Sequence, residues 1–141
     1  MMVSTKGRYA LRVMIDLAKN NTGIFISLKD MAQRQDISRK YLESIMSVLS
    51  KNNLVESAMG KDGGYRLNRK PDEYKVGDIL RVTEGDLSPV ACMSKDDKKC
   101  EMTSLCNAFP FWQGLASKIN EYIDSYTLQD FLTSDEAKSC V

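Results

Sequence analysis

The sequence predicts a mainly α-helical chain with one small β-hairpin: a winged helix-turn-helix domain followed by a long C-terminal dimerisation helix. Three observations carry that expectation. Apolar residues recur at three- and four-residue intervals through most of the first 52 positions. Two short β-prone runs around a glycine-rich loop come next, and a second helical stripe fills residues 110–125.

The first helix is expected over residues 5–20, where Tyr9, Val13, Met14 and Leu17 share one face. Gly23, after Asn20-Asn21-Thr22, is free to take the left-handed conformation that ends it. Ser27-x-x-Asp30 reads as an N-terminal cap pair for a short second helix with Leu28, Met31 and Ala32. After a turn at Gln35-Asp36-Ile37, Ser38 caps a third helix over about Arg39 to Asn52, with Leu42, Ile45, Met46 and Leu49 inward.

Two helices joined by a short turn, the second opening with polar and basic side chains, form a helix-turn-helix, although the same stripe suits any helical bundle. In that arrangement the opening residues of the second helix reach base edges in the major groove. The candidates are Ser38, Arg39, Lys40, Tyr41, Glu43 and Ser44. Glu43 can accept from cytosine N4; equally, it can partner Lys40 or Lys51 on the helix surface. Residues 54–58 and 65–67 read as two strands around Met59-Gly60-Lys61-Asp62-Gly63-Gly64, with glycines for the turn and for close backbone approach. A hairpin placed there is a wing, with Lys61 at its tip and Lys51 and Arg66 nearby; Lys6 and Arg8 are candidates for phosphate contact.

Past Pro71-Asp72, a short helix is expected at about Gly77 to Glu84, closed by Gly85 and Pro89. Pro110 suits the first turn of a long helix reaching about Ser125, in which Trp112, Leu115, Ile119, Tyr122, Ile123 and Tyr126 form a stripe. That stripe can cover its own domain or pair with a second copy of the chain, and the second use is the one expected. Thr127-x-x-Asp130 then caps a last short helix, and residues 134–141, with Cys140, read as a frayed tail.

Charge divides the chain. Residues 1–82 carry 15 Lys and Arg against 9 Asp and Glu, a net +6, whereas residues 83–141 carry 5 against 10, a net −5. A basic front half joined to an acidic one fits a protein whose front touches a polyanion. No apolar run approaches the roughly 18 residues of a membrane span, and Met1–Arg8 lacks a signal peptide's apolar core. The expected compartment is therefore the cytoplasm, where thiols stay reduced. With no histidine, no phosphate-binding glycine loop and no base beside a cysteine, no catalytic constellation is legible and an enzyme is not expected.

Three of the four cysteines, Cys92, Cys100 and Cys106, fall within fifteen residues as C-x7-C-x5-C. Thiolates select zinc, copper(I) and iron–sulfur centres. Zinc sites commonly use close pairs among four Cys or His ligands, and spacings of seven and five depart from that pattern. Long spacings suit a cluster reached from several directions. A fourth ligand is open between Glu101, Asp96 or Asp97, a residue of a second subunit and a small exogenous thiol. Three units follow: residues 1–82 for DNA binding, 83–109 as a cysteine-bearing sensor loop, and 110–141 as dimerisation helix and tail.

Ser4-Thr5-Lys6-Gly7-Arg8-Tyr9-Ala10, Tyr41-Leu42-Glu43, Gly60-x-x-Gly63-Gly64-Tyr65, Thr83-Glu84-Gly85 with Ser88-Pro89-Val90, and Thr127-Leu128 together resemble the Rrf-type bacterial transcription regulators, over about residues 2–133. The resemblance implies a winged helix-turn-helix homodimer that acts on palindromic operators in double-stranded DNA, commonly as a repressor. In the IscR-like and NsrR-like branches, three loop cysteines hold an iron–sulfur cluster, and they map onto Cys92, Cys100 and Cys106; a [2Fe–2S] cluster is favoured over [4Fe–4S]. The CymR-like branch lacks these cysteines and senses sulfur status through a cysteine-biosynthetic enzyme. Two departures stand out: Phe109 occupies the position of the IscR-type histidine ligand and Arg8 that of the NsrR-type acidic one, while Met59 replaces the arginine many relatives carry before the wing glycine. The expectation is a regulator sensing iron–sulfur, redox or nitric oxide status; the alternative is a cluster-free regulator of cysteine and sulfur metabolism.

Overall fold

The computed structural model describes residues 3–90, Met93 and 105–133. In chain order these form α1 (Thr5–Lys19), α2 (Leu28–Gln35), α3 (Arg39–Lys51), β1 (Val55–Ala58), β2 (Gly64–Leu67), a single 3₁₀ turn at Pro71–Glu73, α4 (Val76–Glu84), α5 (Phe109–Ser125) and α6 (Leu128–Leu132). The mainly helical expectation with one hairpin holds. No helix among the described residues is long and apolar enough to cross a membrane.

Local caps set the first boundaries. The hydroxyls of Ser4, Ser27 and Ser38 accept from the backbone N–H of Gly7, Asp30 and Tyr41, each satisfying a donor that a helix start leaves unpaired. Asp36 ends α2 in the left-handed conformation, φ 53°, so the turn into α3 is only three residues long. Inward faces then meet in one core built from Val13, Met14, Leu17, Met31, Leu42, Ile45, Met46 and Leu49 with Ile79 and Leu128. Each such side chain withdrawn from water contributes about 1.5–3 kcal/mol. Leu128 of the C-terminal segment is fully buried there, so packing runs across the expected boundaries of the three units.

Polar side chains pin these helices together. Asp16, buried in α1, accepts from both Nε and Nη2 of Arg34 at 3.0 and 2.7 Å and from Gln35 Nε2 at 3.2 Å. The Arg34 guanidinium is held above its ordinary pKa chiefly by that hydrogen bond. Arg12 donates to Gln35 Oε1 and to its backbone oxygen, so the angle between α1 and α2 is held by paired charges as well as by apolar contact.

β1 and β2 pair antiparallel from Val55–Leu67 to Ala58–Gly64. An unexpected third partner, Ile26, exchanges two backbone hydrogen bonds with Tyr65, both 2.8 Å. Gly64 permits this approach: its φ is +147° and a Cβ there would collide with the backbone oxygen of Ile26.

Candidate nucleic-acid interface and cysteine segment

Helical periodicity turns α3 into a two-sided element. Leu42, Ile45, Met46 and Leu49 are fully buried, and Arg39, Lys40, Glu43 and Ser44 are exposed on the opposite side. Ser47 and Lys51 continue that exposed face; Ser47 escaped the sequence reading, though its i+4 spacing from Glu43 was the available signal. Ser38 spends its hydroxyl lone pair on the Tyr41 N–H at 3.2 Å. Ser44 donates its hydroxyl proton to the Tyr41 carbonyl at 2.7 Å, which leaves that oxygen as an acceptor. Tyr41 departs from its expected outward placement. It is half-buried, with its ring edge-on to Tyr9 at 5.9 Å, because its position on the helix turns toward α1.

At the start of α1, Arg8 is exposed with Nη2 3.3 Å from the Thr5 hydroxyl, and Lys6 is half-buried. Ser4 donates both its N–H (3.0 Å) and its hydroxyl (2.6 Å) to Glu84 Oε1 at the end of α4. The same oxygen would crowd a Cβ on Gly7, so a side chain there would displace the Glu84 carboxylate from its contact with Ser4.

The wing apex carries exposed Met59 and Lys61. Arg66 belongs elsewhere. It opposes Glu56 across the hairpin, donates to Glu56 Oε2 and to the Gly23 oxygen, both at 2.7 Å, and stacks 4.2 Å above the Phe25 ring. Its charge is thereby used to brace the wing. A cleft of about 550 Å³ lies beside the wing, lined by residues including Phe25, Ser27, Asp30, Lys61 and Asp62.

Among the three loop cysteines, Cys92 and Cys100 lie outside the described residues, as do Glu101, Asp96 and Asp97. Cys106 is exposed with a free thiol. Its carbonyl accepts from the Phe109 N–H at 3.2 Å, at the turn that opens α5. Phe109 is half-buried and has no atom able to bind a metal, and exposed Arg8 offers only a cation. On the other flank, Asp86 Oδ1 accepts from the Ser88 N–H (2.9 Å) and hydroxyl (2.6 Å), and Met93 N–H donates to Val90 O at 3.2 Å.

α5 is fastened to α4 by Arg81, which donates to Asp124 Oδ1 and Oδ2 at 2.8 and 2.9 Å and to Asn120 at 2.8 Å. The Arg81 hydrogen bond holds the Asp124 carboxyl below its ordinary range. The expected stripe divides: Ile123 packs onto Val76, Leu80 and Leu87, and Trp112 and Ile119 are half-buried. Leu115, Tyr122 and Tyr126 are exposed, with Phe111 on the same side. Phe111 was absent from the expected stripe, although it precedes Leu115 by one helical turn.

Comparison with known proteins bears on this arrangement. The family model Rrf2, described as an iron-dependent transcriptional regulator, matches residues 3–134. The HTH-type transcriptional regulator IscR of Aliivibrio salmonicida is 34% identical over 138 residues, covering 98% of this chain and 81% of that protein. CymR of Bacillus subtilis is 40% identical over 131 residues, covering 92% and 88%. Its structure, described as that of the global cysteine regulator, superposes with a TM-score of 0.75 over 93% of this chain and 95% of that one, at 39% identity. The structure of T. potens IscR matches with a TM-score of 0.74 over 100% of this chain and 93% of that one, also at 39% identity. With the whole helix-turn-helix, wing and long helix matched in this way, the chain belongs to the Rrf2 family of DNA-binding transcriptional regulators and is not an enzyme.

Proposed function

We propose that this regulator reads DNA through the outer face of α3 and the wing, and senses iron–sulfur, redox or nitric oxide status through a cluster held by Cys92, Cys100 and Cys106. One observation carries the sensing half: three cysteines within fifteen residues, with Cys106 exposed where the chain enters α5. As a donor set, three thiolates fit a soft centre. The group itself would supply an iron whose ligation changes with oxidant, nitric oxide or iron supply. Phe109 and Arg8 supply no ligand, so the fourth position falls to an oxygen donor such as Glu101, Asp96 or Asp97, to a residue of a second subunit or to a small thiol. An iron short of four thiolates is exchangeable.

The DNA half assigns Ser38, Arg39, Lys40, Tyr41, Glu43 and Ser44 to the major groove, Lys61 to the wing contact, and Lys6 and Arg8 to phosphate. The exposed side of α5 (Leu115, Tyr122 and Tyr126, with Trp112, Ile119 and Ile123 behind it) pairs two copies into a dimer, which a palindromic operator requires. Half-sites on one face of the duplex set the two α3 helices roughly 34–36 Å apart. Segment 83–109 joins the DNA-binding part to the pairing helix, so a change there alters that separation. Coupling of roughly 1–3 kcal/mol is ordinary for such linkage.

Anaerobic reconstitution with iron and sulfide tests the sensing half. Visible absorbance with bound iron and sulfide is expected, lost in Cys92→Ala and in Cys106→Ala. Colourless wild-type protein would remove the cluster from the account. The similarity to CymR, at 40% identity, favours a second reading, a cluster-free regulator of cysteine and sulfur metabolism that responds to thiol oxidation or to a metabolic-enzyme partner. It predicts iron-free protein whose operator affinity changes with peroxide or with that enzyme.

A further inference from the structure

The wing ends in the most exposed apolar side chain among the described residues: Met59, 99% exposed. Its setting is narrow. Ala58 precedes it and pairs with Gly64; Gly60 follows it at φ 102°, and the Gly63 N–H donates to the Gly60 oxygen at 3.1 Å. Only Met59, Lys61 and Asp62 extend beyond Cβ between residues 58 and 64. Lys61 and Asp62 line the cleft beside Phe25 and Asp30, whereas Met59 does not. Behind the apex, the paired bonds between Ile26 and Tyr65 and the Arg66 contacts to Glu56 and Gly23 hold the strands to the body. The result is a slim, braced finger tipped by an unbranched apolar side chain, directly after a helix whose outer face carries Arg39 and Lys40.

A minor groove is about 6 Å wide and admits a tip set between an alanine and a glycine. Methionine has no donor for the base acceptors there, so its gain comes from leaving water, and apolar side chains achieve that by wedging between base steps. Pyrimidine–purine steps unstack at least cost. We propose that Met59 is a specificity-determining wedge. It enters the minor groove flanking each half-site, partly unstacks one base step, and makes the regulator select TA or CA/TG at positions where no side chain reads a base edge. Lys61 and the positive charge of residues 1–82 hold the apex against the phosphates. This rests on α3 and the wing engaging the same duplex.

The full-length protein is used to select duplexes from a random-sequence library, and the flanking step is read from the enriched pool. Bending is followed by energy transfer between end labels, and unstacking by 2-aminopurine at the step. Flexible steps are expected to enrich, with about a tenfold preference over a stiff AA step, the size of one unfavourable base pair. Met59→Ala should abolish that preference and reduce the bend without changing the salt dependence, and Met59→Leu should retain both; an unchanged circular dichroism melt confirms the fold in each. Met59→Ala with full preference and bend overturns the wedge. If Met59→Ala is neutral while Arg39→Ala and Lys40→Ala weaken binding, the wedge alone fails. If all three are neutral, the interface fails and the wedge with it.

Discussion

Helices α3 and α5 share an apolar periodicity and differ in what becomes of it. In α3, Leu42, Ile45, Met46 and Leu49 are fully buried by the chain's own core. In α5, of seventeen residues, none reaches full burial, and Phe111, Leu115 and Tyr122 stand exposed, as does Tyr126 at its C-cap. A helix whose stripe is satisfied inside leaves its polar side free to meet a ligand. A helix whose stripe lies outside gains by covering it. Under the proposed reading, α3 therefore serves DNA and α5 serves a second copy of the chain.

The sharpest way to break that contrast is to truncate each stripe. Ile45→Ala, at a fully buried site, should cost about 2–5 kcal/mol in urea unfolding. Leu115→Ala, at a site 37% exposed, should cost less than about 1 kcal/mol in protein dilute enough to be monomeric. Equal losses would mean that α5 is core after all. Next in size, Leu115→Glu combined with Tyr122→Glu should shift sedimentation from dimer to monomer while helicity persists; a surviving dimer would place the contact elsewhere. On the α3 side, Arg39→Ala should weaken operator binding about tenfold and relax the sequence preference at the base pair it reads. An unchanged preference at every position removes Arg39 from the base edges.

The smallest effect concerns the tie between α5 and α4. Asp124 is held below its ordinary pKa by Arg81. The stabilisation is therefore present above the unfolded carboxylate value and disappears as pH falls through the folded one. Trp112, the single tryptophan, lies on α5, so its fluorescence in an acid titration should report loosening in the wild type. Asp124→Asn should flatten that acid limb, and an identical limb would show that another carboxylate governs it.

Much of the fold was legible because the signals were local. Ser27 and Ser38 announce their helices by a hydroxyl three residues before the N–H it caps, and the observed starts agree. Long-range pairings were not legible. Ile26 contributes a single bridging residue, too short for any period to reveal, and the need for Gly64 appears only once Ile26 arrives beside it. Arg66 looked like a wing cation until the strand register set it opposite Glu56. The α5 spacing revealed a stripe but could not divide it, because Ile123 faces α4 only through packing that links residues 76–87 to the far end of the chain. At the candidate interface, the exposed face of α3 followed from its period, whereas the inward Tyr41 depended on where Tyr9 stood.

The contact of Ser4 with Glu84 gives the molecule a shared anchor. One carboxylate oxygen holds the amino end of α1, two and four residues ahead of the phosphate candidates Lys6 and Arg8, and Glu84 is also the last residue of α4 before the segment that leads to Cys92. An anchor common to both ends has no preferred direction. Under the proposed reading, free energy exchanged through it is conserved around the cycle, so a duplex seated on α1 would weigh on the cysteine segment as heavily as that segment weighs on the duplex.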